Sequence, residues 1–120
     1  MPNIKNADCG FNPDDFGRFS IVEASALKAA DGFDLTSHRN MRVDLSKESA
    51  DLQIADFNHM VNGVHYTLVA VNGAATKNQI KFPSKTTLYS EDIVAENGMT
   101  VVYNFFTDGY SIYCERAIYA

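Results

Sequence analysis

The chain has 120 residues, 15 acidic and 10 basic side chains giving a net charge of −5 at pH 7, and 46 % hydrophobic residues. That is one domain's length with ordinary apolar content, which excludes a disordered or collagen-like polymer. The acidic balance and scattered Lys and Arg argue against nucleic acid as a partner, and no apolar run reaches the ~20 residues of a membrane-spanning helix.

The opening MPNIKNADCG has neither the basic n-region nor the apolar h-region of a signal peptide, so synthesis in the cytoplasm is expected. Met1 to Phe19 shows no sustained period and contains Pro2, Gly10, Pro13 and Gly17, with Phe11, Phe16 and Phe19 set among polar residues. It reads as an extended N-terminal arm, residues 1–19, ahead of a domain over 20–120. Three Phe on a segment with no periodic core either pack back on their own domain or dock on a neighbour. Phe11, Phe16 and Phe19 are therefore the candidate partner-binding residues. Cys9 lies in the arm and Cys114 near the other end, a spacing that fits neither a disulfide framework nor a CxxC motif, so both are expected to stay reduced.

From Ser20, the segment SIVEASALKAADG places Ser20 and Glu23 at capping-box spacing, Ile21, Ala24, Leu27 and Lys28 at helical spacing, and Gly32 as a stop. Phe19, Ile21, Glu23, Ser25 and Leu27 also fit a twofold alternation. Helix and strand readings both stand for residues 20–30, with the helix favoured.

Beyond Asp34, short alternating runs are separated by turn dipeptides. Met41, Val43 and Leu45 alternate with polar residues, and Leu52, Ile54 and Phe57 continue the pattern. Asn62-Gly63 precedes VHYTLVAV, which is closed by Asn72-Gly73. Both faces of this run are largely apolar, as expected of a central strand covered on both sides. Gln79 to Phe82 forms a further strand ending at Pro83, and TTLYS a brief edge strand. Asn97-Gly98 introduces MTVVYNFF, and Asp108-Gly109 links it to YSIYCERAIYA, which predicts a β-hairpin with a type I′ turn over Thr100 to Ile118. Six to eight such strands imply an all-β fold, an antiparallel β-sandwich or jelly roll with an extended arm and one short helix.

Chemistry is sparse. His38, His59 and His65 form no ligand spacing, and the pairs Asp14-Asp15 and Glu91-Asp92 lack the spacing of a calcium loop. There is no GxSxG and no phosphate-cradling GxGxxG, so no catalytic residue, cofactor or metal is assigned. The tyrosines Tyr66, Tyr89, Tyr103, Tyr110, Tyr113 and Tyr119 are strand residues first. Tyr110 and Tyr113 in the final hairpin are the candidate sugar platform, because an aromatic plane suits the C–H face of a sugar ring.

Read together, MRVDLS, LQIADF, NGVHYTLVAVNG, QIKFPS with its Phe-Pro strand end, and AENGMTVVYNFFTDGYSIY form one pattern over Asn40 to Tyr113. It resembles a recurrent β-domain of bacteriophage virion proteins found in tail fibres, head fibres and capsid-decorating subunits. The resemblance implies a virion location and a structural, non-enzymatic subunit. It also implies self-association, with a trimer favoured by analogy, and the major capsid or another virion protein as partner. A receptor-recognition module binding a host glycan is the alternative. The short stretch ahead of the match leaves no room for a fibre shaft and suits a small attached subunit, with the aromatic arm as its anchor.

Overall fold

The computed structural model describes residues 19–88 and 96–119. Phe11, Phe16, Cys9 and Tyr89 lie outside the described residues. The described chain is all-β with one helical turn: β1 (Ser20–Val22), α1 (Ala24–Leu27), β2 (Phe33–Asp34), β3 (Asn40–Asp44), β4 (Leu52–Gln53), β5 (Phe57–Asn58), β6 (Tyr66–Val71), β7 (Ile80–Lys81), β8 (Thr86–Leu88), β9 (Thr100–Thr107) and β10 (Ile112–Tyr119). Six strands form one sheet in the order β1-β3-β6-β9-β10-β8, and two short ladders, β2-β5 and β4-β7, stand apart from it.

Each long strand alternates as its sequence does. Met41 and Val43, Tyr66, Leu68 and Ala70, Val101, Tyr103 and Phe105, and Ile112 and Cys114 all point to the same face and are buried. The short ladders and α1 cover that face with Phe33, Phe57, Leu52, Ile80 and Leu27, which join the sheet residues in a single core cluster. This makes a sandwich-like pair of layers. Phe105 sits at its centre, 5.0 Å from the rings of both Phe57 and Phe82 and 5.5 Å from Tyr66. The Tyr103 hydroxyl accepts the Ile80 N–H at 2.9 Å, so a β9 side chain ties the second layer to the sheet. Burial pushes the Tyr103 phenol up to about 12.

Antiparallel pairing, expected throughout, holds for β6-β9 and β9-β10. The pairs β1-β3, β3-β6, β8-β10, β2-β5 and β4-β7 are parallel. Parallel neighbours need crossovers. Residues 23–39 and 45–65 cross over from β1 to β3 and from β3 to β6 and carry β2, β4 and β5 of the second layer, while β7 lies in the connection from β6 to β8.

Residues 20–30 resolve into both readings. Ser20–Val22 pairs as a strand and Ala24–Leu27 makes a single helical turn. The capping box does not form: Glu23 is the N-cap residue with no side-chain cap, and the Ser20 hydroxyl instead bonds His38 Nδ1 at 2.9 Å. Gly32 is not the helix stop, since the helical turn ends at Leu27 with Lys28 as its C-cap; Gly32 instead closes the following turn, at φ 103° with its N–H on the Ala29 carbonyl. The final hairpin forms, but its connection is longer than a type I′ turn. Residues 108–111 make the loop, and Gly109 alone among them has positive φ. Asp108 Oδ1 accepts the N–H groups of Tyr110 and Ser111, both at 2.9 Å, which leaves Asp108 itself in ordinary backbone space.

Near β2, Asp34 Oδ1 accepts the Thr36 N–H at 2.9 Å and the Thr36 hydroxyl at 2.6 Å, and lies 3.0 Å from His59 Nδ1. These bonds, led by the Thr36 hydroxyl, lower the carboxyl from 3.8 to about 2. The folded state therefore binds this proton more weakly than the unfolded state does. The contribution is complete above pH 3.8 and is lost as pH falls towards 2. An NMR titration of the Asp34 carboxyl is expected to show a midpoint near 2, and one near 3.8 would contradict the assignment.

Candidate functional site

The sheet has a second face, and alternation decides what it carries. The residues between the buried positions form four rows across the strands, fixed by register. The first is Ile21, Arg42, Val69, Val102 and Ala117. The second is Asp44, Val71, Thr100 and Tyr119. The third is Asn40, Thr67, Asn104 and Glu115. The fourth is Phe106, Tyr113 and Thr87, with His65 beside Phe106 at the mouth of β6.

No described second layer packs on this face. Thr67, Val69, Val71 and Val102 are half-buried, while Ile21 is 71 % exposed and Tyr119 58 %. The expectation that β6 is covered on both sides is thus met on one side among the described residues. The Tyr66, Leu68 and Ala70 side carries the core, and the Val69 and Val71 side remains open.

The open face divides in two along the strands. The half holding Ile21, Val69, Val71, Val102, Ala117 and Tyr119 is mainly apolar. The half nearer the final loop is aromatic and polar. There His65 and Phe106 have ring centroids 4.7 Å apart and Phe106 and Tyr113 5.3 Å apart, a three-ring ladder across β6, β9 and β10. The Tyr113 hydroxyl donates to Asp108 Oδ2 at 3.0 Å, and that hydrogen bond raises the phenol while helping to lower the Asp108 carboxyl, whose largest causes are the Ser111 and Tyr110 N–H groups. Alongside the rings, the Thr67 hydroxyl donates to Asn104 Oδ1 at 2.9 Å, and Glu115 stands opposite Asn104.

Of the candidate residues, Phe19 is 48 % exposed where the chain enters β1, and Phe11 and Phe16 fall outside the described residues. Tyr110, at the loop tip, is 89 % exposed, and Tyr113 lies in the ring ladder. Tyr66 and Tyr103 are core residues, with the Tyr66 hydroxyl accepting the Val61 N–H at 3.0 Å. Composition alone did not single out His65, Phe106, Asn104 and Glu115. A signal existed, because hairpin partners are symmetric about the Asp-Gly loop, and that symmetry sets Phe106 opposite Tyr113 and Asn104 opposite Glu115.

Elsewhere, His38 stacks on Phe33 at 5.2 Å and His59 lies 3.0 Å from Asp34 Oδ1. Among the described residues no group of three or more His, Cys, Asp or Glu gathers as a metal site, and no helix is long and apolar enough to cross a membrane. Cys114 is buried and free, and burial pushes its thiol up to about 12, well away from a reactive thiolate. A cleft of about 420 Å³ lies between β7 and β10, lined by Asp51, Gln79, Lys81, Tyr103 and Arg116. Its Arg116 Nη1 already donates to Gln79 Oε1 at 2.8 Å.

Comparison with protein-family models, with curated proteins and with solved structures finds no match to this chain.

Proposed function

We propose that the protein is a bacteriophage virion structural subunit of the capsid-decoration or head-fibre type. It self-associates and attaches to the major capsid or another virion protein through its N-terminal arm. The observation that carries this reading is the mainly apolar half of the open sheet face, where Ile21, Val69, Val71, Val102, Ala117 and Tyr119 share one surface with Arg42 and Asp44 of β3. An apolar sheet face of this kind marks an association surface. A symmetric oligomer covers it once per copy, and the trimer is favoured by analogy with the virion domains that Asn40 to Tyr113 resembles. Exposed Phe19 and Ile21 continue the arm's apolar character into the sheet edge. An arm with Phe anchors on a repeated lattice gains from multivalency, and no turnover is required.

Sedimentation of the full chain is expected to give an oligomer, and Val69→Glu with Val102→Glu to give monomers with unchanged circular dichroism. Deleting residues 1–19 is expected to leave a folded oligomer that no longer co-sediments with phage particles. A monomeric full chain, or a truncated chain that still attaches, overturns the reading.

A further inference from the structure

The other half of the open face has a different chemistry. Two rows lie side by side: the rings of His65, Phe106 and Tyr113, and the polar side chains of Thr67, Asn104 and Glu115. Successive same-face residues on a strand are about 7 Å apart and neighbouring strands about 4.8 Å, so the rows form a grid of about 10 by 7 Å. We propose that this grid is a binding site for a neutral oligosaccharide, one unit of which stacks on Tyr113 beside Glu115 of the same strand while Asn104, one strand further in, takes the hydroxyls of the next unit.

The ladder itself selects Tyr113. Phe106 has the stacked Tyr113 ring on one side and the tilted His65 ring on the other, so among the described residues the open ring faces belong to the ends of the ladder. Beyond Tyr113 the next residue in the row is Thr87 of the edge strand, a small exposed side chain. The Tyr113 hydroxyl is held by Asp108 Oδ2, which restrains the ring before any ligand arrives and lowers the entropy lost on binding. Asp108 is itself held by two backbone N–H groups, so it acts as a positioning residue.

The polar row then supplies both signs of hydrogen bond. Asn104 uses its carbonyl oxygen on Thr67, which leaves the NH₂ to donate, and the exposed Glu115 carboxylate beside it accepts. A sugar ring presents an apolar C–H face with hydroxyls around its rim, and each hydroxyl both donates and accepts. One aromatic row edged by an amide and a carboxylate matches that arrangement. The carboxylate in the grid and the net charge of −5 disfavour an acidic sugar. The inference uses only the loop-side half of the face and does not depend on the virion reading.

The test is titration of the full chain with neutral gluco- and galacto-tetrasaccharides, and with a sialylated trisaccharide, followed by saturation-transfer NMR and calorimetry. Saturable binding of a neutral oligosaccharide is expected. Tyr113→Ala and Glu115→Ala should each weaken it about tenfold, as loss of one stacking or charge-assisted contact implies. Tyr113→Phe, which keeps the ring, should retain most of it. Because Glu115 is exposed, its variant tests the site even if Tyr113→Ala unfolds. Absence of binding by every neutral sugar, preference for the sialylated one, or equal binding by Glu115→Ala overturns the proposal. Val69→Glu with Val102→Glu is expected to leave sugar binding intact, which separates failure of this site from failure of self-association.

Discussion

Phe105→Ala is expected to lower the unfolding free energy by about 3–5 kcal/mol. Phe105 has no solvent exposure, and its ring meets Phe57, Phe82 and Tyr66 at centroid distances of 5.0, 5.0 and 5.5 Å. It belongs to β9, the strand that is antiparallel to both of its neighbours, while Phe57 and Phe82 come from the opposite layer. Removing the ring therefore deletes the central ring contacts between the layers and leaves Tyr103, with its Ile80 hydrogen bond and its contact to Phe82, as the neighbouring link. The cavity cannot close without moving either the sheet or the short ladders, and two-residue ladders have few bonds with which to hold a new position. Urea unfolding followed by circular dichroism measures the loss. A change below about 1 kcal/mol would show that the layers are joined elsewhere.

Gly109→Val is expected to cost about 2–3 kcal/mol and to lower the melting temperature by roughly 8–20 °C for a domain of this size. Gly109 holds φ at 94°, where a β-branched side chain is strained whatever space surrounds it. An added Cβ would also stand 2.9 Å from Asn62 Nδ2, a contact that the flexible Asn side chain can relieve. The backbone is less free to yield. Thr107 Oγ1 accepts the Gly109 N–H at 3.0 Å and donates to the Ser111 carbonyl at 2.7 Å, which fixes the loop from inside. Gly109→Asn, whose side chain tolerates the left-handed region, should cost clearly less. Equal melting of the Val and Gly proteins would mean that the loop adopts a different turn.

The loop also aligns the ring ladder, so these two substitutions bear on function differently. Phe105 faces the core, and its loss lowers global stability. Gly109 sits where Asp108 reaches Tyr113, and a displaced loop would release the Tyr113 hydroxyl.

Turn chemistry and alternation made the long strands legible. MRVDLS, VHYTLVAV and the final hairpin each carry enough alternating residues to declare a period, and they became β3, β6, β9 and β10. β2 is two residues long, too short to hold any period, β4, β5 and β7 are two-residue strands where the runs Leu52 to Phe57 and Gln79 to Phe82 pointed to longer ones, and β1 lay in a window where helical and strand spacings coincide. Asn72 shows the limit of dipeptide reading. Asn72-Gly73 does follow a strand, yet Asn72 is buried, donating to the Asn78 and Met99 carbonyls and accepting the Asn78 N–H. Asn78 in turn donates to the Glu48 carbonyl, so a turn residue became the hub of three loops.

By itself, the order of residues determined the all-β class, the hairpin, and which side chains share a face of each long strand, because a period of two is a local property of the chain. Tertiary structure alone decided the parallel partners and the face of β6 that the short ladders cover, since both depend on contacts between segments far apart in sequence. The same register across three strands brings His65 and Thr67 beside Phe106, Asn104, Tyr113 and Glu115. No single strand contains that grid.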